Sequence, residues 1–264
     1  MVDKRFLNFP FQRTSRFPFG WIFGPILFLL GRSSSYGGWT SNWTCYHTLM
    51  TLMMSAPLAL SEYWPFETLQ TLSETTIPYL QVVFGVNDVF DYQSDRVNKR
   101  KTHAKGIEGG VLKTQYHSIC IYGSLLLSVA IMCIPLIALD PAQQRKVSSA
   151  ATVLLIGCSW AYSAPPFCLK SRPFLDSLSN GTLCWLAWYL GIFSIDTNPS
   201  GDSLAPRSQD HQGVMRQGWT IFLGSSLAHI LGAIGDIESD LAVGDCTIAT
   251  TLGVRKAVAV ACIS

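Results

Sequence analysis

Charge is what this sequence has least of. Only 14% of its 264 residues are Asp, Glu, Lys or Arg, against about 25% in an average soluble domain. A soluble chain of this length needs a charged surface that so few residues cannot supply, and 48% of the chain is hydrophobic. The composition therefore reads as an integral membrane protein whose constant partner is the lipid bilayer. Net charge is only +2, so there is no basic excess for a nucleic acid partner. The eight cysteines include no C-x-x-C pair. Most lie in apolar segments, where Cys packs as a small hydrophobe, which argues against a zinc site or a disulfide framework. No stretch alternates apolar and polar residues, which argues against a transmembrane β-barrel. No inverted repeat of the kind seen in transporters is apparent.

What is present is a series of apolar stretches at or just under membrane-spanning length. They cover residues 17–31 (short and Pro-interrupted), 43–60, 76–90, 116–139, 147–164, 178–195 and 219–235, with a partial one from 257 onward. Short loops rich in Gly, Pro and Ser separate them. The pattern predicts an all-α, polytopic transmembrane bundle of about seven helices, one domain over residues 1–264. Residues 1–16 carry Lys4, Arg5, Arg13 and Arg16 against the single acid Asp3. With no small-residue cleavage pattern after it, this segment reads as a cytosolic basic arm.

Two acidic clusters stand out. The first is Asn87-Asp88-Val89-Phe90-Asp91-Tyr92-Gln93-Ser94-Asp95, at the end of an apolar stretch. At about 100° per residue, Asn87, Asp91 and Asp95 fall on one helical face, and Asp88 neighbours Asp91 at i, i+3. Like charges at that spacing repel unless a cation lies between them. Mg²⁺ is the natural cofactor, because it binds through a few carboxylates plus substrate phosphate. The second cluster, Asp236-Ile237-Glu238-Ser239-Asp240, closes another apolar stretch and repeats the i, i+4 pair.

Counting crossings puts both clusters on one side, with the loop 165–173 between them. That side carries Arg96, Lys99, Arg100, Lys101, Lys105, Lys113, Lys170, Arg172, Arg255 and Lys256; the opposite loops carry Arg145, Lys146, Arg207 and Arg216. The positive-inside rule then places the clusters at the cytosolic face. Carboxylates, metal and basic residues together suit a polyanionic head group, and the bundle suits an apolar tail. A prenyl diphosphate has both.

At these residues the chain resembles the UbiA superfamily of intramembrane prenyltransferases. Asn87-Asp88-x-x-Asp91-x-x-x-Asp95, with Arg96 and Asn98, is similar to the first aspartate-rich motif. Asp236-x-x-x-Asp240, with Gly244, Thr247 and Gly253, is similar to the second. Tyr162-Ser163-Ala164-Pro165-Pro166, with Leu169 and Lys170, is similar to the tyrosine motif between them. The motif core runs over about residues 76–253. The resemblance implies Mg²⁺ held by Asn87, Asp88, Asp91, Asp95, Asp236 and Asp240, and diphosphate contacts from Lys99, Arg100, Lys170 and Arg172. It also implies Tyr162 near the leaving group or allylic carbon, with Asp91, Asp236 and Tyr162 the catalytic residues.

Two departures bear on the reaction. An Arg-Pro pair usual after the first motif is replaced by Lys101-Thr102-His103-Ala104-Lys105, and only Leu241 to Ser264 follow Asp240. This shortened C-terminus resembles the fungal membrane-bound terpene cyclase branch of the superfamily. The expectation is therefore Mg²⁺-dependent cyclisation of farnesyl diphosphate to a sesquiterpene such as bergamotene, in secondary metabolism at the endoplasmic reticulum. The alternative is prenyl transfer to an aromatic or other acceptor, and intramembrane acids marking a transporter's ion pathway form a third reading. His103 and His117 are expected as solvated loop residues rather than a base or phosphate contact, and His229 as hydrogen-bonded within the bundle, although it lies where it could line the cavity; Glu238 and Asp245 either assist the second metal shell or face solvent. The sequons Asn42-x-Thr44 and Asn180-x-Thr182 also occur; Asn180 opens a helix on the cytosolic side and is expected to be unmodified. Oligomeric state is not legible.

Overall fold

The structure is a computed structural model that describes residues 26–33, 82–103, 111–138, 142–193 and 211–263. The basic arm, the 43–60 stretch, the start of the 76–90 stretch and the first sequon lie outside these residues. All regular structure described is helical. The helices are α1 (Leu27–Ser33), α2 (Phe84–Phe90), α3 (Tyr92–Val97), α4 (Lys99–His103), α5 (His117–Ala138), α6 (Ala142–Ser163), α7 (Leu175–Phe193), α8 (His211–Val243), α9 (Ile248–Leu252) and α10 (Val254–Ile263), with 3₁₀ turns at Thr114–Tyr116 and Leu169–Ser171. The expected all-α architecture is observed.

Helix α7 is the central element. It packs on α1, α6 and α8, and its inward residues Leu183, Leu186 and Leu190 share one core with Phe28 of α1 and Ala151, Leu155 and Ile156 of α6. The close packing depends on glycine. A Cβ on Gly31 would lie 2.0 Å from the carbonyl oxygen of Trp188, and one on Gly181 would lie 2.7 Å from that of Phe222 and 2.2 Å from Ser226 Oγ. Small residues at such crossings let backbones approach, as is usual between helices in a membrane. Substituting Gly181 by Val should force α7 and α8 apart, at a cost of about 1–3 kcal/mol. A lowered thermal midpoint in detergent is the expected readout.

The outward faces are apolar. Ile119, Tyr122, Leu125 and Leu126 on α5, Val153 and Leu154 on α6, and Trp219, Leu223 and Leu231 on α8 are all exposed. Burying such faces in lipid satisfies them, which fits the low charge content. Gln212–Val243 is, among the described residues, the one helix long and apolar enough by itself to cross a membrane. At 1.5 Å per residue the 33 residues of α8 run about 50 Å, well beyond a hydrocarbon core of about 30 Å. The helix thus starts earlier and ends later than the 219–235 stretch suggested. Its second acidic cluster sits within an unbroken helix rather than in a loop after one.

A candidate active site where two acidic helices meet

The first acidic stretch keeps its helical register. Asp91 sits at the junction of α2 and α3, at φ −88° and ψ 0°. Its N–H still reaches the carbonyl of Asn87 at 2.8 Å, and Asp95 N–H reaches its own carbonyl at 2.8 Å. Asn87, Asp91 and Asp95 therefore share one face, as their spacing demands. On α8, Asp236 and Asp240 do the same. Both faces open onto one cavity of about 350 Å³. Asn87, Asp91, Asp95, Asp236 and Asp240 line it together with Tyr162 and Lys170.

Direct contacts tie the two halves together. Asn98 Nδ2 donates to Asp236 Oδ1 at 2.5 Å, across the space between α3 and α8. Lys170 Nζ donates to Asp91 Oδ1. Lys101 donates to Asp95 Oδ2 at 2.8 Å and lies 3.7 Å from Asp88 Oδ1. The loop after α8 is built to support Asp240. Gly244 takes the left-handed conformation at φ 80°, and Thr247 closes a capping box with Thr250 at the start of α9. Thr247 Oγ1 then donates to Asp240 Oδ2 at 3.4 Å.

The structure does not bring all of the expected residues to the cavity. Asp88 is buried behind the lining, facing Lys101. Lys99 and Arg172 are exposed, and Arg172 Nη2 donates to the Pro166 carbonyl at 3.4 Å. Of Arg100, only its backbone place in α4 is described. Lys101, on the same helix as Lys99, lines the cavity. Asn98, His229, Thr247 and Asp245 also line the cavity; Asp245 accepts from Ser171 Oγ at 3.0 Å. His117 packs edge-on against Tyr92, away from the cavity, and Glu238 is exposed. Asn180 lies on α7 and lines the cavity, a poor position for glycosylation.

The donor set fits Mg²⁺. Asp91, Asp95, Asp236, Asp240 and Asp245 face only Lys101 and Lys170 in the lining, so acid exceeds base and the space favours added cations. Among the described residues no three acids, histidines or cysteines are gathered around one point. Mg²⁺ does not need three, since it is usually held by one or two carboxylates with water and phosphate completing its octahedron. Asp95 feels the excess: burial, with Asp88 and Asp91 nearby and only partly offset by Lys101, raises its carboxyl to about 7. A carboxyl raised in the fold stabilises the folded state below its ordinary range near 3.8 and ceases to as pH climbs through about 7. Mg²⁺ bound there would compete with the proton. Thermal stabilisation by Mg²⁺ should therefore be stronger at pH 8 than at pH 6, and half-saturation should need more Mg²⁺ at the lower pH. Equal titrations at both values would remove Asp95 from the metal site.

Comparison with known proteins shows the family and the fold. The profile of the UbiA prenyltransferase family matches residues 48–264. A lycopene elongase/hydratase of Corynebacterium glutamicum is 33% identical over 182 residues, 69% of this chain and 57% of that protein. Another, from Halobacterium salinarum, is 35% identical over 180 residues, 67% of this chain and 55% of that protein. The chain thus spans little more than half the length of these relatives. A solved UbiA homolog from Archaeoglobus fulgidus, bound to DMAPP and Mg²⁺, shares the fold with a TM-score of 0.62 at 17% identity, over 95% of this chain and 72% of that one. The chain belongs to the UbiA prenyltransferase family.

Proposed function

We propose that this UbiA-family protein is a prenyltransferase that ionises a prenyl diphosphate and passes the prenyl cation to an alkene carbon of a long polyene, of the lycopene type. The observation that carries the reading is that Asp91 and Asp95 of one motif and Asp236 and Asp240 of the other line one cavity. Elongation in the names of the relatives supports transfer over cyclisation of farnesyl diphosphate, so transfer replaces the cyclase expectation here. Those relatives are bacterial and archaeal and lend nothing to an endoplasmic reticulum location. The proposal keeps a membrane-embedded enzyme with its mouth at the cytosolic, basic face.

In this reading Asn87, Asp91, Asp95, Asp236 and Asp240 hold Mg²⁺, which when bound offsets the charge developing on the departing diphosphate. Lys101 and Lys170 are fixed near the same place by their carboxylate partners and contact the diphosphate oxygens. Asp88 holds Lys101 from behind. Val83, Phe84, Leu183 and Ala233, also in the lining, take the hydrocarbon tail. Tyr162 stands between head and tail, beside the allylic carbon.

The test is a membrane assay with DMAPP, Mg²⁺ and lycopene. Diphosphate release that depends on lycopene, with a longer carotenoid as product, is expected. Release from farnesyl diphosphate alone, with a cyclic hydrocarbon formed, would restore the cyclase; ion flux without any release would point to a transporter.

A further inference from the structure

Behind Tyr162 runs a chain of polar groups that binding and ionisation do not require. Tyr162 Oη lies 2.7 Å from His229 Nε2, and His229 Nδ1 lies 3.3 Å from Ser177 Oγ. Ser177 Oγ donates to Asp176 Oδ1 at 3.3 Å. Asp176 is fully buried and accepts from Ser177 N–H at 2.7 Å and, through Oδ2, from Ile248 N–H at 2.9 Å. Four elements converge here: α6 supplies the tyrosine, α7 the serine and aspartate, α8 the histidine and α9 the backbone donor.

The carboxylate end fixes the direction of every bond. An ionised carboxylate only accepts, and a serine hydroxyl has one hydrogen, here given to Asp176. Ser177 Oγ must then accept from His229 Nδ1–H. In a neutral imidazole that leaves Nε2 as the acceptor, so the Tyr162 hydroxyl donates to it. The phenolic oxygen is thereby turned into a base toward the cavity, and its own proton already points to a sink.

We propose that Tyr162, His229, Ser177 and Asp176 form a proton relay that ends the reaction, removing the proton from the carbocation left after prenyl transfer. This rests on the transfer reading above. In the step, the acceptor's π pair has formed the new C–C bond to the prenyl carbon, leaving a cation on the adjacent carbon. A neighbouring C–H bond breaks and its electron pair becomes the new C=C. The proton goes to Tyr162 Oη, while the tyrosine's own proton moves to His229 Nε2. The imidazolium is held by Ser177 and Asp176, and its proton later leaves with the released diphosphate, which shares the cavity. His229 and Asp176 act through Tyr162: the relay sets how the cation is quenched, by proton loss or by capture of water.

The experiment uses the full chain in lipid nanodiscs with DMAPP, lycopene and Mg²⁺. It reads three quantities: diphosphate released, elongated alkene, and elongated alcohol from water capture. In His229→Gln, which keeps a polar contact but cannot take a proton at neutral pH, the alkene-to-alcohol ratio should fall at least tenfold. Ser177→Ala leaves the imidazole in place and should shift the ratio the same way, by several-fold. The ratio is measured within surviving turnovers, so partial loss of folded protein does not move it. An unchanged ratio in both variants, a parallel fall of all three quantities, or no product from either would overturn the relay. A wild type that releases no diphosphate overturns the transfer reading, and the relay with it.

Discussion

Asp91→Ala and Asp236→Ala should each lower diphosphate release by about a thousandfold or more, roughly 4 kcal/mol in the barrier, while the protein stays in the membrane. Each residue is the member of its cluster most directly wired to the other side of the cavity. Asp91 pairs with Lys170 and Asp236 accepts from Asn98, so each removal would take away a proposed metal-binding oxygen and release a partner at once. Effects on a group that assembles the site as a unit are not additive. The double variant should therefore be little worse than either single one. Glu238→Gln is the matched control, because Glu238 lies in the same acidic run but is exposed; its turnover should stay within about twofold of wild type, as for surface changes generally. Diphosphate release in membranes, normalised to inserted protein, decides. Near-normal turnover in either alanine variant would end the proposal that these acids hold the metal.

Much of this site is legible in the sequence. A helix fixes the relative direction of residues three and four apart, so the shared faces of Asn87, Asp91 and Asp95, and of Asp236 and Asp240, follow from spacing alone. Crossing parity brought the two clusters to one side. What spacing cannot supply is which residues beyond a helix break turn inward. Lys101 was outside the expected contacts because it lies past Asn98, where the backbone leaves the helix at ψ 111°. That change of direction moves Lys101 inward and leaves Lys99 exposed. Arg172, an expected contact, is exposed for a similar reason. The segment before it contains Cys168 at φ 43°, and Phe174 at φ 67° follows; left-handed residues of this kind re-aim side chains in ways that a periodic reading does not follow. The relay is the other omission. Asp176 and Ser177 stand at the start of α7 without any motif around them, and only packing sets them beside His229. One signal was available: a histidine within an apolar stretch, His229, is costly to bury unless it has a partner.

Lys170→Gln and Lys101→Gln should each reduce kcat/KM by about a hundredfold, the size usual for losing one charged contact to a developing anion, whereas Lys99→Gln and Arg172→Gln should change it by no more than about threefold. The four residues have the same charge and lie in the same two segments, α4 and the turn after α6, so charge alone does not separate them. Position separates them. Lys101 and Lys170 line the cavity and are held there by Asp95 and Asp91, while Lys99 and Arg172 face outward. With the diphosphate in the cavity, as proposed, the two inner ammonium groups would act on it at short range. The outer pair acts through solvent and salt, and its contribution should shrink as ionic strength rises. A titration of kcat/KM against salt in all four variants tests both halves of this prediction. If Lys99→Gln or Arg172→Gln matched the loss in Lys170→Gln, the diphosphate would sit nearer the rim than the cavity lining implies, and the acids at the centre would need another ligand.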